Sequence, residues 1–373
     1  MATIKLTTWN IEHFGRMLPD PPLDKRVKLD AIAAEIEAIN PDILCIVEAP
    51  GNLPALRDWI QSNSGLADRY RVATIPGTQD ILDQNPANPR KALQRRYGMQ
   101  GTDITGNQWV WFLIRGDLFR HSRARLLAPA AWQGINKQKK WTVHEWGNFD
   151  GRKHSHWRHP QTLIIELAGV EVEIIGVHLK SKINTKKAFD NGDLMPAYVK
   201  EALKARIKLA TEAYDIRRYI DNRFKQAPSP RIIVCGDMND GPGRGHFERE
   251  YLFFDLVSNV QGDMFFARRY LYHALFDFEE QLRWSTRFHD RIEKWSRSQP
   301  GNEALPPAPI DPAHFQLIDH ILFTQAFTGE NACPRIEPFA GRVEHTIHER
   351  IAAPLTRSDR PSDHVPVSVN ITI

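Results

Sequence analysis

Short apolar runs rich in β-branched residues recur along the chain: Ile4–Thr8, Ile43–Val47, Trp109–Ile114, Leu163–Leu167, Val172–Val177, Ile232–Cys235, Leu317–Phe323 and Val365–Ile373. Most are bounded by turn residues, which is the pattern of buried strands. Helical spacing replaces it in two places. From Arg26 to Ile39, Val27, Ala31, Ala34 and Ala38 form one stripe with Leu29, Ile32 and Ile36 beside it, and Asn40-Pro41-Asp42 ends the pattern. From about Ala197 to Phe224, Leu203, Ile207, Ala210, Tyr214 and Ile220 recur near helical spacing. Strands outnumber helices and often follow one another directly. This predicts an α+β layered sandwich and not a doubly wound parallel sheet.

Three polar or aromatic stretches interrupt the pattern. Pro76 to Gly106 is polar and Pro-rich; His121 to His159 carries Trp132, Trp141, Trp146 and Trp157; Gly241 to Phe315 is aromatic and helix-prone, and ends near Pro306-Pro307-Ala308-Pro309. Strand-like runs flank each of them, so residues 1–373 read as one domain with an insertion at about 241–315. Within the insertion, Asp263 to Trp295 is expected to form an amphipathic helix pair packed on the sandwich, with a substrate arm, a lid or a self-association surface as the rival readings.

A length of 373 residues, 42% hydrophobic and 25% charged, suits a large core and excludes a disordered tail or a coiled coil. No run approaches the ~18 apolar residues of a membrane helix. The opening Met1-Ala2-Thr3-Ile4-Lys5-Leu6 shows no basic leader before an apolar block, so no signal peptide is expected. Cys45, Cys235 and Cys333 form no CxxC pair and are expected to be buried free thiols of a cytoplasmic protein. The net charge of +4, from 49 basic and 45 acidic residues, is too small to indicate nucleic acid.

Chemistry gathers at predicted strand ends. Asn10 and Glu12 close the first run and Glu48 the second; His178 ends the fifth, Asp237 and Asn239 the sixth; Asp319-His320 lies in the seventh and Asp363-His364 opens the last. Strand ends meet at one edge of a sandwich, so these groups can converge. Carboxylates and amides without thiolates select a hard cation, Mg²⁺ with Mn²⁺ as substitute. Histidines beside it can move protons near neutral pH, which together describe phosphoester hydrolysis.

The order Trp-Asn-Ile, Glu48, Gly-Val-His-Leu, Gly-Asp-Met-Asn, Ile-Asp-His-Ile and Ser-Asp-His-Val-Pro-Val resembles the endonuclease/exonuclease/phosphatase superfamily, which includes deoxyribonuclease I. The resemblance runs from Asn10 to His364. It implies a four-layer α/β/β/α sandwich of two packed, mostly antiparallel sheets, with the site at one end. It further implies Glu48 as the principal metal ligand with Asn10 near it, and Glu12 and Asp363 as further ligands or neighbours. Asp237 and Asn239 would orient or deprotonate the attacking water. His364, its ring fixed by Asp319, would bind a phosphate oxygen or move a proton, and His178 would stabilise the phosphorane or help the leaving oxygen. Arg158, in Trp157-Arg158-His159-Pro160, resembles an Arg-x-Pro element near the phosphate. Two departures stand out: Met238 replaces a common Phe, and Arg283-Trp284-Ser285-Thr286 lies more than thirty residues before Asp319.

Substrate contacts are sought in Arg152 to Lys225, where 15 basic and 9 acidic residues leave 15 − 9 = +6. Lys180 and Lys182 follow His178 and are candidates for a phosphate backbone, against the alternative of a solvated face. The four tryptophans could stack on bases, or anchor loops. His154, His156 and His159 lack the thiols and spacing of a zinc site, and Gly241–Gly245 lacks the Gly-Lys-Ser/Thr of a P-loop. The leading reading is a Mg²⁺-dependent nuclease acting on DNA ahead of RNA, with no membrane role. The alternatives are hydrolysis of a soluble nucleotide, inositol phosphate or lipid head group, and a non-catalytic nucleic-acid-binding module.

Overall fold

The computed structural model describes residues 2–18, 25–98, 108–137, 140–144, 150–154, 156–241, 245–252, 257–300, 311 and 313–373. Trp146 and Pro306 to Pro309 lie outside them. The eight apolar runs become eight of the twelve strands in two six-stranded sheets. The twelve are β1 (Thr3–Asn10), β2 (Ile43–Ala49), β3 (Tyr70–Val72), β4 (Trp109–Arg115), β5 (Arg125–Leu126), β6 (Gln161–Leu167), β7 (Val170–His178), β8 (Ile232–Asp237), β9 (Leu271–His273), β10 (Asp319–Thr324), β11 (Gly341–Val343) and β12 (Val367–Thr372).

The first sheet runs β11-β12-β1-β2-β4-β3 and the second β9-β10-β8-β7-β6-β5. Each holds one parallel pair at its centre, β1 with β2 and β7 with β8. The other pairings are antiparallel. This layout positions the site. Parallel neighbours end at the same edge, so Asn10 and Glu48 leave one sheet together, and His178 and Asp237 leave the other. Antiparallel neighbours then begin where those strands end: Asp319 of β10 pairs directly with Asp237.

Both faces of the second sheet are covered, and the period-2 alternation sorts its residues. Ile174, Ile233 and Cys235 join Leu6 and Phe112 in the core between the sheets, while Ile175, Val177, Ile232 and Val234 face Leu209, Ala213, Ile216 and Ile220 of a long helix, Pro196–Gln226. Gly176 lets the sheets approach: a Cβ there would lie 2.8 Å from Val110 Cγ1 and 2.9 Å from Cys45 Sγ. On the outer side of the first sheet, helix Arg26–Ile39 buries Leu29, Ile32 and Ile36 and meets helix His345–Ala352 through a 2.9 Å contact of Glu35 with His348. The result is the expected four-layer α/β/β/α sandwich.

Both helical stripes are corrected in phase. In the first helix Val27 is 49% exposed and Ala34 exposed, because the larger Leu and Ile side chains remove more apolar area from water than an Ala stripe can. In the long helix Tyr214 is exposed, and the buried face runs through Leu209, Ala213, Ile216 and Ile220. The helix pair expected from Asp263 to Trp295 does not form. A 3₁₀ turn, Met264–Arg269, precedes β9, and helix Arg291–Arg297 follows only later. Aromatic pairs at helical spacing, such as Phe266 with Tyr270 and Tyr272 with Phe276, are there, but Leu271–His273 is taken into the sheet as an edge strand on β10, which breaks the helical pattern. Leu271 pairs with Thr324, at the end of β10 opposite Asp319, so the Met264–Arg269 turn lies away from the polar strand ends.

Among the described residues no helix is long and apolar enough to cross a membrane. Cys45 and Cys235 are buried as expected, but Cys333 is exposed, being in a loop outside the apolar runs. Titration of the native protein with a thiol reagent should therefore modify one of the three cysteines rapidly and the other two only on unfolding. Three fast thiols would contradict the packing of the two sheets.

Candidate active site

Asp237 sits where β8 ends, 2% exposed, held by three partners from three segments. The Asn10 side-chain amide donates to its Oδ2 at 2.9 Å, the Asn239 backbone N–H donates to its Oδ1 at 2.7 Å, and His178 Nε2 lies 3.6 Å from Oδ2. The Asn239 side chain turns back to donate to Leu179 O at 3.0 Å. Opposite, His364 Nδ1 contacts Asp319 Oδ2 at 2.7 Å. One ligand atom from each of Asp237, Asp319 and His364 lies within 4.8 Å of the others. Five of the expected residues, with Asn10 and His178 around this trio, thus converge from both sheets.

The electrostatics separate their protonation states. Burial, and then the charge of Asp319, push Asp237 up to about 7. Burial opposes charge on His364, but Asp319, Asp237 and Asp363 together outweigh it and raise it to about 10, as a carboxylate partner predicts. Burial holds His178 neutral, well below its ordinary value, and Arg158 and His364 reinforce this. One group near neutrality, one cation and one neutral imidazole are therefore packed together.

Glu48, Glu12 and Asp363 form a second, more exposed group beside the trio. Glu48 accepts the His13 backbone N–H at 2.9 Å, Glu12 pairs with Lys28 at 3.2 Å, and Asp363 Oδ1 lies 3.8 Å from His364 Nε2. Burial raises Asp363, and Glu12 and Glu48 add to the effect. Glu48 and Asn239 both adopt positive φ, 60° and 52°, a conformation that costs a non-glycine residue energy and clusters at functional sites.

The residues fit a hard divalent cation. Asn10 Oδ1 and Asp319 Oδ1 are buried oxygen atoms without a hydrogen-bond partner. Other buried oxygens, such as Glu35 Oε2 and Gln161 Oε1, are also unpartnered, but these two lie at the Asp237–Asp319–His364 trio, where a cation could satisfy both. One oxygen of Asp319 lies within 4.8 Å of ligand atoms of Asp237 and His364, so Asp319 enters the candidate ligand set alongside Glu48 and Asn10, while His364, held charged, has no lone pair for a cation.

The basic candidates are more engaged than their charge suggests. Arg158 donates through Nε to Gln108 Oε1 at 2.9 Å and through Nη1 to Leu179 O at 3.3 Å. Lys180 Nζ donates to Ser181 O at 2.6 Å, and Lys182 Nζ pairs with Asp240 at 2.6 Å. Within the +6 segment Lys187, Lys204, Arg206, Arg217 and Arg223 also have acidic partners. Four of those acids lie inside the segment and are already in its sum, so only Lys182 with Asp240 and Arg206 with Glu248 draw on its +6. Of the tryptophans, Trp132 is buried against Tyr219, Trp141 is half-buried, and Trp157 is exposed.

Two uncharged serines, to which their motifs assigned no role, brace the site. Ser362 Oγ donates to Asn10 O at 2.7 Å and accepts N–H groups from Glu12 and His364, tying the last strand to the first. Ser285 Oγ accepts the N–H groups of Ile318 and Asp319 at 3.1 and 3.0 Å. Thr286 Oγ1 donates to Asp363 O at 3.0 Å. The displaced Arg283–Thr286 stretch therefore still meets Asp319. The chain between leaves and returns as a small ribbon, Thr286–Arg287 with Phe315–Gln316. Ser362 had a signal, its place in the Ser-Asp-His motif; Ser285 had none in spacing.

No family model and no curated protein matches the chain. Among solved structures it is similar to truncated Caenorhabditis elegans TDP2, at 13% identity and TM-score 0.46, covering 100% of this chain and 98% of that one. It is also similar to an endonuclease/exonuclease/phosphatase from Bacteroides vulgatus, at 12% identity and TM-score 0.46, covering 100% of both. A family protein from Bacteroides thetaiotaomicron follows at 13% identity and TM-score 0.45, covering 99% of this chain and 97% of that one. In the order of its motifs and in its two-sheet sandwich, the chain resembles the endonuclease/exonuclease/phosphatase superfamily.

Proposed function

We propose that this chain is a Mg²⁺-dependent phosphodiester hydrolase, a nuclease acting on DNA in the cytoplasm. The carrying observation is the buried Asp237–Asp319–His364 trio, with one orphaned oxygen in it, Asp319 Oδ1, and one on the adjoining Asn10. Asn10, Glu48 and Asp319 would hold the cation, with Glu12 and Asp363 as neighbours that add negative charge. When bound, the cation polarises a phosphoryl oxygen and offsets its developing charge.

The chain's own residues do the rest. Asp237, pushed up to about 7, takes the proton of the attacking water, and Asn239 helps to orient it. The new P–O bond forms as the bond to the leaving oxygen breaks, and that oxygen takes a proton from solvent to leave as a hydroxyl, while Asp237 returns its proton to solvent. His364, kept charged by Asp319, donates to a non-bridging oxygen; neutral His178 faces the same centre and stabilises the phosphorane. Arg158 adds fixed positive charge beside Asp237 and Glu48.

A second reading has an observation in its favour. Because Lys182 and Arg206 are paired with acids outside the basic segment, a long phosphate backbone has fewer unspent cations to meet, which suits a small soluble phosphoester. A substrate panel with Mg²⁺ separates the two. Nicking of circular DNA without release of inorganic phosphate from mononucleotides is expected. Phosphate release from mononucleotides or inositol phosphates, with DNA left intact, would replace the first reading by the second.

A further inference from the structure

Residues 156–159 and the stretch after His178 lie far apart in sequence, yet both must be fixed for Arg158 and His178 to face one phosphate. A single buried carboxylate joins them. Glu212, 1% exposed on helix Pro196–Gln226, accepts the Lys180 backbone N–H through Oε2 at 2.7 Å and the Trp157 backbone N–H through Oε1 at 3.3 Å. Trp157 is the residue before Arg158, and Lys180 lies two residues after His178. One turn along the same helix, Asp215 anchors the rest of the first stretch: it contacts His156 Nε2 at 3.0 Å and accepts from the Trp141 indole at 3.0 Å and the Asn136 amide at 2.8 Å. His154 Nε2 lies 3.3 Å from Glu212 Oε1, which adds a side-chain contact to the backbone ones.

We infer that Glu212 is a positioning residue, a two-pronged carboxylate that locks the Arg158 and His178 loops into one geometry and so sets where the phosphate is gripped. The inference rests on the role given to Arg158 above. A buried carboxylate is a costly way to join two loops unless both oxygens are used, and here both are. Its charge-assisted bonds to backbone N–H groups are short-range and directional, so they fix loop position where apolar packing would leave freedom. Arg158 Nη1 in turn donates to Leu179 O, between His178 and Lys180, so the two loops also meet at the arginine itself.

Glu212→Gln tests this at constant size. An amide keeps one acceptor and turns an N–H₂ toward the other backbone N–H, so one loop is released. Displacements of about 1 Å at a distance from the chemistry can cost ~10²-fold in rate. With bis(4-nitrophenyl) phosphate and Mg²⁺, kcat/KM is expected to fall ~10- to 10²-fold in Glu212→Gln and at least as far in Arg158→Ala. In the double variant the Glu212→Gln change should add less than about twofold, since it acts through the arginine. Amide hydrogen exchange at Trp157 or Lys180 should rise at least ~10-fold in Glu212→Gln while core strands stay protected. Tyr219→Phe, on the same helix but bonded to Glu173 at 2.6 Å, controls for general loss of stability and should keep wild-type kcat/KM.

Unchanged kcat/KM in Glu212→Gln, or independent additive losses in the double variant, would overturn the inference while leaving the phosphodiesterase reading intact. Wild-type turnover by Arg158→Ala would overturn both the role of Arg158 and the inference built on it. A matching loss in Tyr219→Phe would reduce Glu212 to general stability and also overturn it.

Discussion

Asp237→Asn is expected to make the metal-free protein more stable at pH 8 and to lower phosphodiester turnover by ~10²-fold or more. The two effects share one cause. Burial and the nearby Asp319 hold the Asp237 carboxyl at about 7 in the fold, against 3.8 as the ordinary value. Below pH 3.8 the group is protonated in both folded and unfolded chains and contributes nothing. Between 3.8 and 7 the unfolded chain ionises more readily, so the folded state loses stability as pH rises, and above 7 the full penalty stands. It is on the order of 1–4 kcal/mol. Asparagine removes that penalty. Its Oδ1 can still accept the Asn239 N–H, and a flip of Asn10 turns the orphaned Oδ1 of that residue toward the new amide. Thermal unfolding at pH 8 without metal checks it: a Tm at least ~2 °C above wild type is expected. An equal or lower Tm would mean that Asp237 is not held against its ionisation.

His364→Ala is expected to destabilise the metal-free protein by ~3–5 kcal/mol at pH 6, because it leaves the buried Asp319 carboxylate without its cation. Turnover should fall by ~10²- to 10⁴-fold. The pH dependence has a definite sign. Against burial, Asp319 and its acidic neighbours raise His364 from 6.5 to about 10. The stabilisation from that pair is present in full below pH 6.5 and is lost as pH rises to about 10. Wild type should therefore lose stability between pH 6.5 and 10 in excess of any loss in His364→Ala, measured by urea unfolding across the range. Parallel curves for the two proteins would sever His364 from Asp319.

The sandwich was legible because buried strands announce themselves as short β-branched runs, and eight such runs map onto the central strands of both sheets. Short edge strands such as Arg125–Leu126 and Leu271–His273 were not, since two or three residues carry no period. The helix faces shifted because spacing alone cannot choose between an Ala stripe and an adjacent Leu/Ile stripe, whereas buried area can. At the site, the charged and imidazole groups were readable from their places at strand ends. What was not readable was their pairing. That Lys182 is spent on Asp240, or that Glu212 reaches two loops at once, depends on distances between segments far apart in sequence. Uncharged supports such as Ser285 are invisible for the same reason, as their role lies in which backbone N–H they meet.

The central claim is that the Asp237–Asp319–His364 trio hydrolyses phosphodiesters with a bound divalent cation. Its most direct test is the cleavage of circular DNA by wild type and Asp237→Asn, side by side, with Mg²⁺ and with EDTA. The expected result is cleavage by wild type in Mg²⁺ alone and its loss in the variant, although the variant is folded. Equal cleavage by both proteins, or cleavage that persists in EDTA, would contradict the account.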